Sequence, residues 1–222
     1  MRKTVVYIIV LSTIISFTSV SKAQNASDPA TKFMHEAGFG KSNFVMGQNL
    51  SPWGVHHRAN YNSGSIVYLQ ANYIFNDRGI LGVRCDLMGT AANYVIEEGL
   101  RVSDNVNIMY FALQTGGINT YSTRYSLSML AGVGYALYQS YGLLEFEEYN
   151  IYSHMLGLNL DLSFDFMLGS KSSIGCKSSV FTSLSNKFQR EIGGKKDNLK
   201  MDKTNQLFPN IVTASIFLRR YF

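Results

Sequence analysis

The chain has 222 residues, 46% of them hydrophobic and 16% charged, a size and composition typical of one folded domain. Its formal net charge is +5, but three of the basic residues lie within the first 23 positions. Without those three, the sequence contains 17 basic and 15 acidic residues. This balance excludes a strongly basic nucleic-acid-binding domain, and we expect no nucleic-acid partner.

The N-terminus predicts a secretory signal peptide over residues 1–23. Two basic residues precede an apolar run over residues 5–17, and small residues follow up to Ala23. The run is shorter than the roughly 20 apolar residues that a spanning helix needs. We therefore expect cleavage after Ala23, export, and a polar periplasmic leader over residues 24–31.

Eight segments then show the two-residue period of β-strands. The clearest is LGLNLDLSFDF over residues 156–166, where leucine and phenylalanine alternate with glycine, asparagine, serine and aspartate. No helical period of comparable length appears. The predicted strands cover residues 32–46, 65–75, 80–94, 104–115, 124–139, 156–166, 173–185 and 206–222.

The connections between these strands alternate in length. Those after the second, fourth and sixth strands are short, whereas those after the odd-numbered strands are long and polar. Short turns on one side and long loops on the other are typical of outer-membrane barrels. The last predicted loop is rich in lysine, and we interpret it as a solvated loop, with a polyanion-binding patch as the alternative. The predicted exposed loops are residues 48–62, 95–103, 140–149 and 186–205.

The polar face of the strands predicts which side is the interior. In the fifth strand that face carries Ser126, Ser128, Gly132 and Gly134, which are small enough for the crowded hollow of an eight-stranded barrel. The polar side chains would then line the lumen and the leucines would face lipid. Charged residues of both signs would pair there and fill the lumen as a polar plug. The predicted lumen charge network is Glu36, Arg84, Asp86, Asp161, Asp165, Lys177 and Arg219. The predicted lipid-facing set is Leu156, Leu158, Leu160, Leu162, Phe164 and Phe166.

Aromatic residues cluster near the predicted strand ends, which indicates two girdles at the membrane interfaces. The girdle on the loop side would contain Tyr135, Tyr138, Tyr141, Tyr149 and Tyr152, and that on the turn side Tyr73, Phe75, Phe164 and Phe166.

The terminal strand ends on Phe222, with apolar residues on the same parity. Together with the eight strands and the alternating connections, this resembles the small outer-membrane β-barrel family of the OmpA/OmpX kind. The resemblance implies an eight-stranded antiparallel up-and-down transmembrane barrel over residues 32–222, located in the cell outer membrane. It also implies that the barrel-insertion machinery recognises Phe222. Arg220 departs from the family's usual apolar residue, so either it reaches the periplasmic interface or the register of this strand is shifted.

Candidate catalytic and metal-binding residues are few. Ser153 and His154 lie near three glutamates, at a place where barrel-type lipid deacylases keep such residues, but adjacent strand residues point to opposite faces. His56 and His57 follow Trp53 in a loop without a third ligand at a suitable spacing. We therefore expect no catalytic residue, no metal site and no cofactor.

The sequence thus favours a non-enzymatic barrel with a structural role or a role in binding at its loops. Its expected partners are outer-membrane lipids, the insertion machinery and an unidentified extracellular ligand. Three alternatives stay open: an outer-leaflet lipid hydrolase, a narrow channel for small solutes, and a soluble secreted sandwich. Cys85 and Cys176 lie far apart in strand order, and we expect both thiols to be unpaired.

Overall fold

The computed structural model describes most of the predicted barrel domain. The described residues are 33–44, 63–75, 78–95, 99, 101–122, 124–185, 187–200 and 209–222. The predicted signal peptide, the leader, the loop at 48–62 and the histidines within it lie outside these residues. None of the described residues lies in a helix long and apolar enough to cross a membrane.

Ten strands form a single antiparallel sheet, and eight of them close into a barrel. The ring runs β5-β4-β3-β2-β1-β10-β7-β6, and the β5–β6 pairing closes it. Each of the eight strands pairs with a neighbour on both sides, so the closed part of the sheet has no edge strand, as a sheet in lipid requires. The predicted eight-stranded antiparallel barrel is therefore confirmed. The strands are β1 Phe33–Phe44, β2 Gly64–Phe75, β3 Gly79–Val95, β4 Arg101–Ser122, β5 Tyr125–Leu144, β6 Glu147–Met167, β7 Ser172–Leu184, β8 Lys187–Ile192, β9 Lys195–Lys200 and β10 Asn210–Tyr221.

The barrel wall is much taller on one side than on the other. Strands β1, β2, β7 and β10 have 12 or 13 residues, close to the roughly 9 to 11 that cross a bilayer. Strands β3 to β6 have 17 to 22 residues. Their extra length lies at one end of the barrel, which we call the loop end. The opposite end, which we call the turn end, holds Phe33, Arg78, Arg124, Phe222 and the turn at residues 168–171.

Three of the predicted exposed loops are wrong in extent. The loop at 95–103 shrinks to residues 96–100, because β4 begins at Arg101. The loop at 140–149 is almost entirely strand, since only Glu145 and Phe146 connect β5 to β6. Within 186–205, strands β8 and β9 form a hairpin that pairs with β6 through Tyr149–Tyr152. These long polar segments have the composition of loops, but the strands continue through them beyond the expected membrane span.

The barrel interior is filled in layers. Towards the turn end lies an apolar layer of Met34, Ile80, Ile118 and Leu130. Towards the loop end lies a larger apolar layer that includes Ile66, Met88, Val106, Ile108, Tyr138, Ile151, Phe181 and Phe188. The predicted lumen charges lie below the loop-end layer and beside the turn-end residues, since Leu130 pairs in register with Asp161 and Ile118 with Ser128. The prediction of a polar filling is therefore wrong in part, because large apolar side chains share the lumen with buried polar residues such as Ser126 and Ser173 at the turn end and Asp104 and Ser140 at the loop end.

Candidate functional site

The seven charged residues predicted for the lumen all point into the barrel. Each is at most 3% exposed, and together they carry three positive and four negative formal charges. They come from five strands, and Glu36 and Arg219 face each other across the β1–β10 pairing. Because unpaired ions would cost several kcal/mol each in such surroundings, the pairing among them matters for folding.

Arg219 is the centre of the first half of this charge network. Its Nε and Nη2 donate to Glu36 Oε2 at 2.9 and 2.7 Å, and its Nη1 donates to Asp165 Oδ1 at 2.7 Å. Two serine hydroxyls, Ser128 Oγ and Ser163 Oγ, accept from Nη2 at 3.2 and 3.1 Å. The guanidinium thus binds two carboxylates and leaves few donors unused.

Arg84 is the centre of the second half. Its Nε donates to Asp86 Oδ1 at 2.5 Å, and its Nη1 pairs with Asp161. Lys177 joins the halves, because its Nζ pairs with Glu36 and lies 3.9 Å from Asp161 Oδ2. The network is therefore continuous across the lumen rather than a set of separate ion pairs.

Aromatic rings cover the cations of the network, and none of these rings is among the predicted lumen residues. Lys177 Nζ lies 4.4 Å from the ring centroid of Tyr68, and Arg219 Cζ lies 4.8 Å from that of Phe217. Cation–π contacts of this kind stabilise partly desolvated charges. Tyr68 falls on the polar parity of its strand, which is the one signal that could have placed it in the lumen.

Gly157 makes room for two interior rings. The rings of Tyr110 and Phe181 pack edge to face with centroids 4.9 Å apart. A Cβ atom at Gly157 would lie 2.7 Å from Tyr110 Cε2 and 2.9 Å from Phe181 Cε2. The glycine on the polar parity is therefore a packing requirement of the filled lumen.

The six residues predicted to face lipid lie on the barrel exterior. Their exposed fractions run from 66% at Leu156 to 38% at Phe166. The other barrel strands add apolar side chains at the same level, so the exterior carries a continuous apolar band. Examples from those strands are Phe39, Val67, Val83, Phe111, Val133, Val180 and Ile216.

The predicted aromatic girdle on the loop side is wrong in part. Tyr138 and Tyr149 point into the barrel, where they are 1% and 3% exposed. They share the parity of the polar lumen residues, and beyond the band that parity belongs to the apolar interior layer. At the turn end, Tyr125 packs against Phe164 and Phe166 on the exterior, with centroids 5.9 and 5.4 Å apart.

Ser153 and His154 point to opposite faces of β6. Ser153 is buried, and its Oγ lies 2.6 Å from Ser185 Oγ and 2.9 Å from the carbonyl oxygen of Lys187. His154 is on the exterior, where its Nδ1 is hydrogen-bonded to the Tyr135 hydroxyl. The two side chains therefore form no dyad. Among the described residues, no group of histidine, cysteine and acidic side chains is arranged to hold a metal ion.

The last residues of β10 pack at the turn end. The backbone N–H of Phe222 donates to the carbonyl oxygen of Phe33 at 2.9 Å. The Phe222 ring meets His35 edge to face at 5.2 Å, and Arg220 Cζ lies 5.4 Å from its centroid. Arg220 pairs in register with His35, so the terminal strand is not shifted. The role of Phe222 as an insertion signal stays a prediction.

Comparisons with solved structures support the fold. A major outer membrane protein from Thermus thermophilus matches with a TM-score of 0.59 and 17% identity, over 86% of this chain and 99% of that one. The outer membrane protein OprG from Pseudomonas aeruginosa matches with a TM-score of 0.52 and 13% identity, over 90% and 100%. Neisserial surface protein A gives 0.48 at 12% identity, over 86% and 97%. No protein-family model and no curated protein sequence matches the chain.

This chain has the fold of the small outer-membrane β-barrels. The two solved structures with the higher TM-scores are both outer-membrane proteins, and the apolar exterior band described above suits that location. At these identities the likeness concerns fold alone. The activity of the protein has to be argued from its own residues.

Proposed function

We propose that the protein is a non-enzymatic integral barrel of the outer membrane, with a closed lumen and a binding or structural role at its loop end. The observation that carries this proposal is the sorting of side chains in β6, where Leu158 and Leu160 face outwards while Asp161 and Asp165 are buried inside. In water the reverse arrangement would be stable. In lipid the observed arrangement is the stable one, because the hydrocarbon excludes charge and accepts leucine.

The proposed orientation follows from the connections. Small barrels of this type place short turns at the periplasmic face and longer segments outside the cell. The turn end of this barrel would therefore face the periplasm, and the tall wall of β3 to β6 with the β8–β9 hairpin would project outwards. Lipids of the outer membrane are the partners of the apolar band, and an extracellular ligand would meet the projecting end.

The layered interior supports a closed barrel. Below the loop-end apolar layer and beside the turn-end apolar residues, the charge network spans the lumen from β1 to β6 through Glu36, Lys177 and Asp161. A barrel of eight strands has an interior just wide enough for its own side chains. Solute could pass only if these contacts separated.

A narrow channel is the second candidate, and one observation favours it. Among the described residues, three buried amide atoms of the lumen have no hydrogen-bond partner: Gln70 Oε1, Asn72 Nδ2 and Gln114 Oε1. Buried polar atoms without protein partners are commonly hydrated. Water bound to these atoms would form part of a water-filled path through the barrel.

The test of membrane insertion is fractionation of the mature protein. We expect it to partition into detergent and to migrate differently on a cold gel before and after heating, because a closed barrel resists dodecyl sulfate until it is boiled. A protein that stays in the aqueous phase and shows one mobility would contradict the proposal.

The test of the closed lumen is conductance across a planar bilayer. We expect no stable current steps from the folded protein, whereas regular steps would favour the channel. The hydrolase alternative is tested by Ser153→Ala and His154→Ala, which should leave the acyl chains of outer-leaflet lipid unchanged relative to the unsubstituted protein. A loss of deacylation in either variant would show an enzyme.

A further inference from the structure

Amide and phenol side chains occupy adjacent positions on the outer face of the projecting strands, and charged residues such as Arg101, Glu148 and Glu191 surround them. Along one register, Asn107 faces Gln139, Gln139 faces Tyr152, and Tyr152 faces Gln189. The next register joins Asn105, Tyr141 and Asn150 and ends on Glu191 of β8. These side chains form a continuous polar surface across β4, β5, β6 and β8, which we call the amide ladder. Its residues are Asn105, Asn107, Gln139, Tyr141, Asn150, Tyr152 and Gln189.

Hydrogen bonds within the amide ladder hold its centre in place. Gln139 Nε2 donates to Asn150 Oδ1 at 3.3 Å and to the Tyr152 hydroxyl at 3.4 Å. Asn150 Nδ2 also donates to the Tyr152 hydroxyl. Since these bonds order the side chains before any ligand arrives, a ligand would meet preorganised groups.

A cleft of about 220 Å³ continues the amide ladder between β6 and the β8–β9 hairpin. Tyr152, Gln189 and Asn198 line it together with two ion pairs. These pairs are Arg190 with Asp197 at 3.3 Å and Lys196 with Glu191 at 3.7 Å. Each lining charge thus has an opposite partner beside it.

The two carboxamides of the cleft are available for a ligand. Within the described part of the chain, neither Gln189 nor Asn198 makes a side-chain hydrogen bond. A carboxamide offers donors and an acceptor together, which matches the neighbouring hydroxyl groups of a sugar. An anion would instead need unpaired arginine or lysine. The volume is below that of a site for a drug-sized ligand and suits a small ring.

The height of the ladder above the apolar band indicates which sugar it would meet. Tyr152 lies four residues beyond Leu156 along β6, which is roughly 13 Å along the strand and, at a tilt near 40°, about 10 Å along the membrane normal. The headgroup layer on each side is about 5 to 8 Å thick. The ladder therefore faces sideways just beyond that layer, where the sugars of a neighbouring glycolipid would stand.

We infer that the amide ladder and its cleft bind the sugar hydroxyl groups of an outer-leaflet glycolipid beside the barrel. The inference rests on the proposed orientation in the outer membrane. The ladder would hold the glycolipid laterally by hydroxyl–carboxamide hydrogen bonds, while the apolar band contacts its acyl chains. The projecting wall would thereby serve as a lateral docking face as well as a support for the loops.

The test uses the full mature protein folded in detergent micelles, with three probes. These are intact lipopolysaccharide, the core oligosaccharide released from it, and lipid A without the core. The double variant Gln189→Ala/Asn198→Ala removes the two free carboxamides from an exposed hairpin. Asn43→Ala is the matched control, because it removes an exposed carboxamide from β1, outside the ladder. All variants are first checked for the mobility shift on heating.

We expect the core oligosaccharide to bind the unsubstituted protein, and the double variant to bind it at least tenfold more weakly. Asn43→Ala should stay within twofold, and added salt should change the affinity little, because the proposed contacts are carboxamide hydrogen bonds and each charge that lines the cleft already has an opposite partner. The inference is overturned if the double variant binds the oligosaccharide unchanged, if only lipid A binds, or if binding falls steeply with salt. Normal membrane insertion with no oligosaccharide binding would reject this inference alone, whereas absence of the heating shift would reject the proposed function.

Discussion

The apolar band and the projecting end of the barrel use the same strands with opposite polarity. In β6 the exterior changes from Asn150 to Leu158, while the interior changes from Ile151 to Asp161. The alternation keeps its phase throughout, so the strand does not rotate. The difference between the two halves is the medium that surrounds the barrel. A continuous strand thus has a water-facing polar exterior in one half and a lipid-facing apolar exterior in the other.

The interior changes in the opposite direction for a related reason. Inside the projecting end, Val106, Ile108 and Ile151 can form an ordinary hydrophobic core because water lies on the other face of the wall. At the level of the band that driving force is absent, since leucine is as well solvated by lipid as by protein. There the lumen is held by ion pairs and hydrogen bonds around Arg219 and Arg84.

Arg219→Met is expected to have the largest effect on folding. It leaves Glu36 and Asp165 buried with fewer partners, and breaking one side of a buried ion network typically costs about 3–5 kcal/mol. The measurement is urea-dependent unfolding from lipid vesicles, followed by the gel shift between folded and unfolded forms.

The matched control for that variant is Arg190→Met. Arg190 also pairs with an aspartate, but its side chain is 28% exposed in the hairpin and that of Asp197 is 60% exposed. Solvent screening limits such pairs to about 0–1 kcal/mol. Equal losses in the two variants would contradict the difference between the buried network and the projecting end.

Leu160→Arg tests where the band ends. Leu160 lies in the middle of the lipid-facing set, and arginine at the bilayer midplane of a barrel costs about 2–4 kcal/mol. Leu143→Arg is the control, because Leu143 is equally exposed but lies in the projecting part of β5. There the cost should fall to about 0–1 kcal/mol. Similar losses of folding free energy for the two variants in the same vesicle assay would mean that both residues lie in the same medium. This result would contradict the distinction between the apolar band and the projecting end.

Ile151→Val gives the smallest expected effect and tests the core of the projecting end. Ile151 is fully buried, so loss of one methylene should cost about 0.5–1.5 kcal/mol. Ile216→Val makes the same change on the exterior of β10, where acyl chains can fill the space, and it should be close to neutral. A neutral result at Ile151 would mean that this layer is not tightly packed.

Much of the band could be predicted from the sequence. The two-residue period and the small side chains on one parity were enough to direct Asp161 inwards and Leu160 outwards. The strand segments of the projecting end were not predicted, because the apolar residues there lie on the inward-facing parity instead of the outward-facing one. In β6, for example, large apolar residues occupy the outward parity only from Leu156 onwards, although the strand begins nine residues earlier at Glu147.

The hairpin was missed for a different reason. In KFQREI, only Phe188 and Ile192 mark an inward face, and the rest is charged or polar. Six residues with two apolar positions are a weak strand signal. Pairing with β6 stabilises this segment, so its structure depends on a partner far away in the chain.

Local alternation, which needs only neighbouring residues, is sufficient to assign the band-level part of the eight barrel strands, the barrel class and the side of the seven network charges. The choice of ionic partners is different, because Glu36, Asp165 and Arg219 meet only when β10 closes the ring between β1 and β7. The amide ladder likewise needs four strands in register before its side chains share a surface. Contacts between distant segments follow from closure and shear of the sheet, and no short stretch of sequence encodes those two properties.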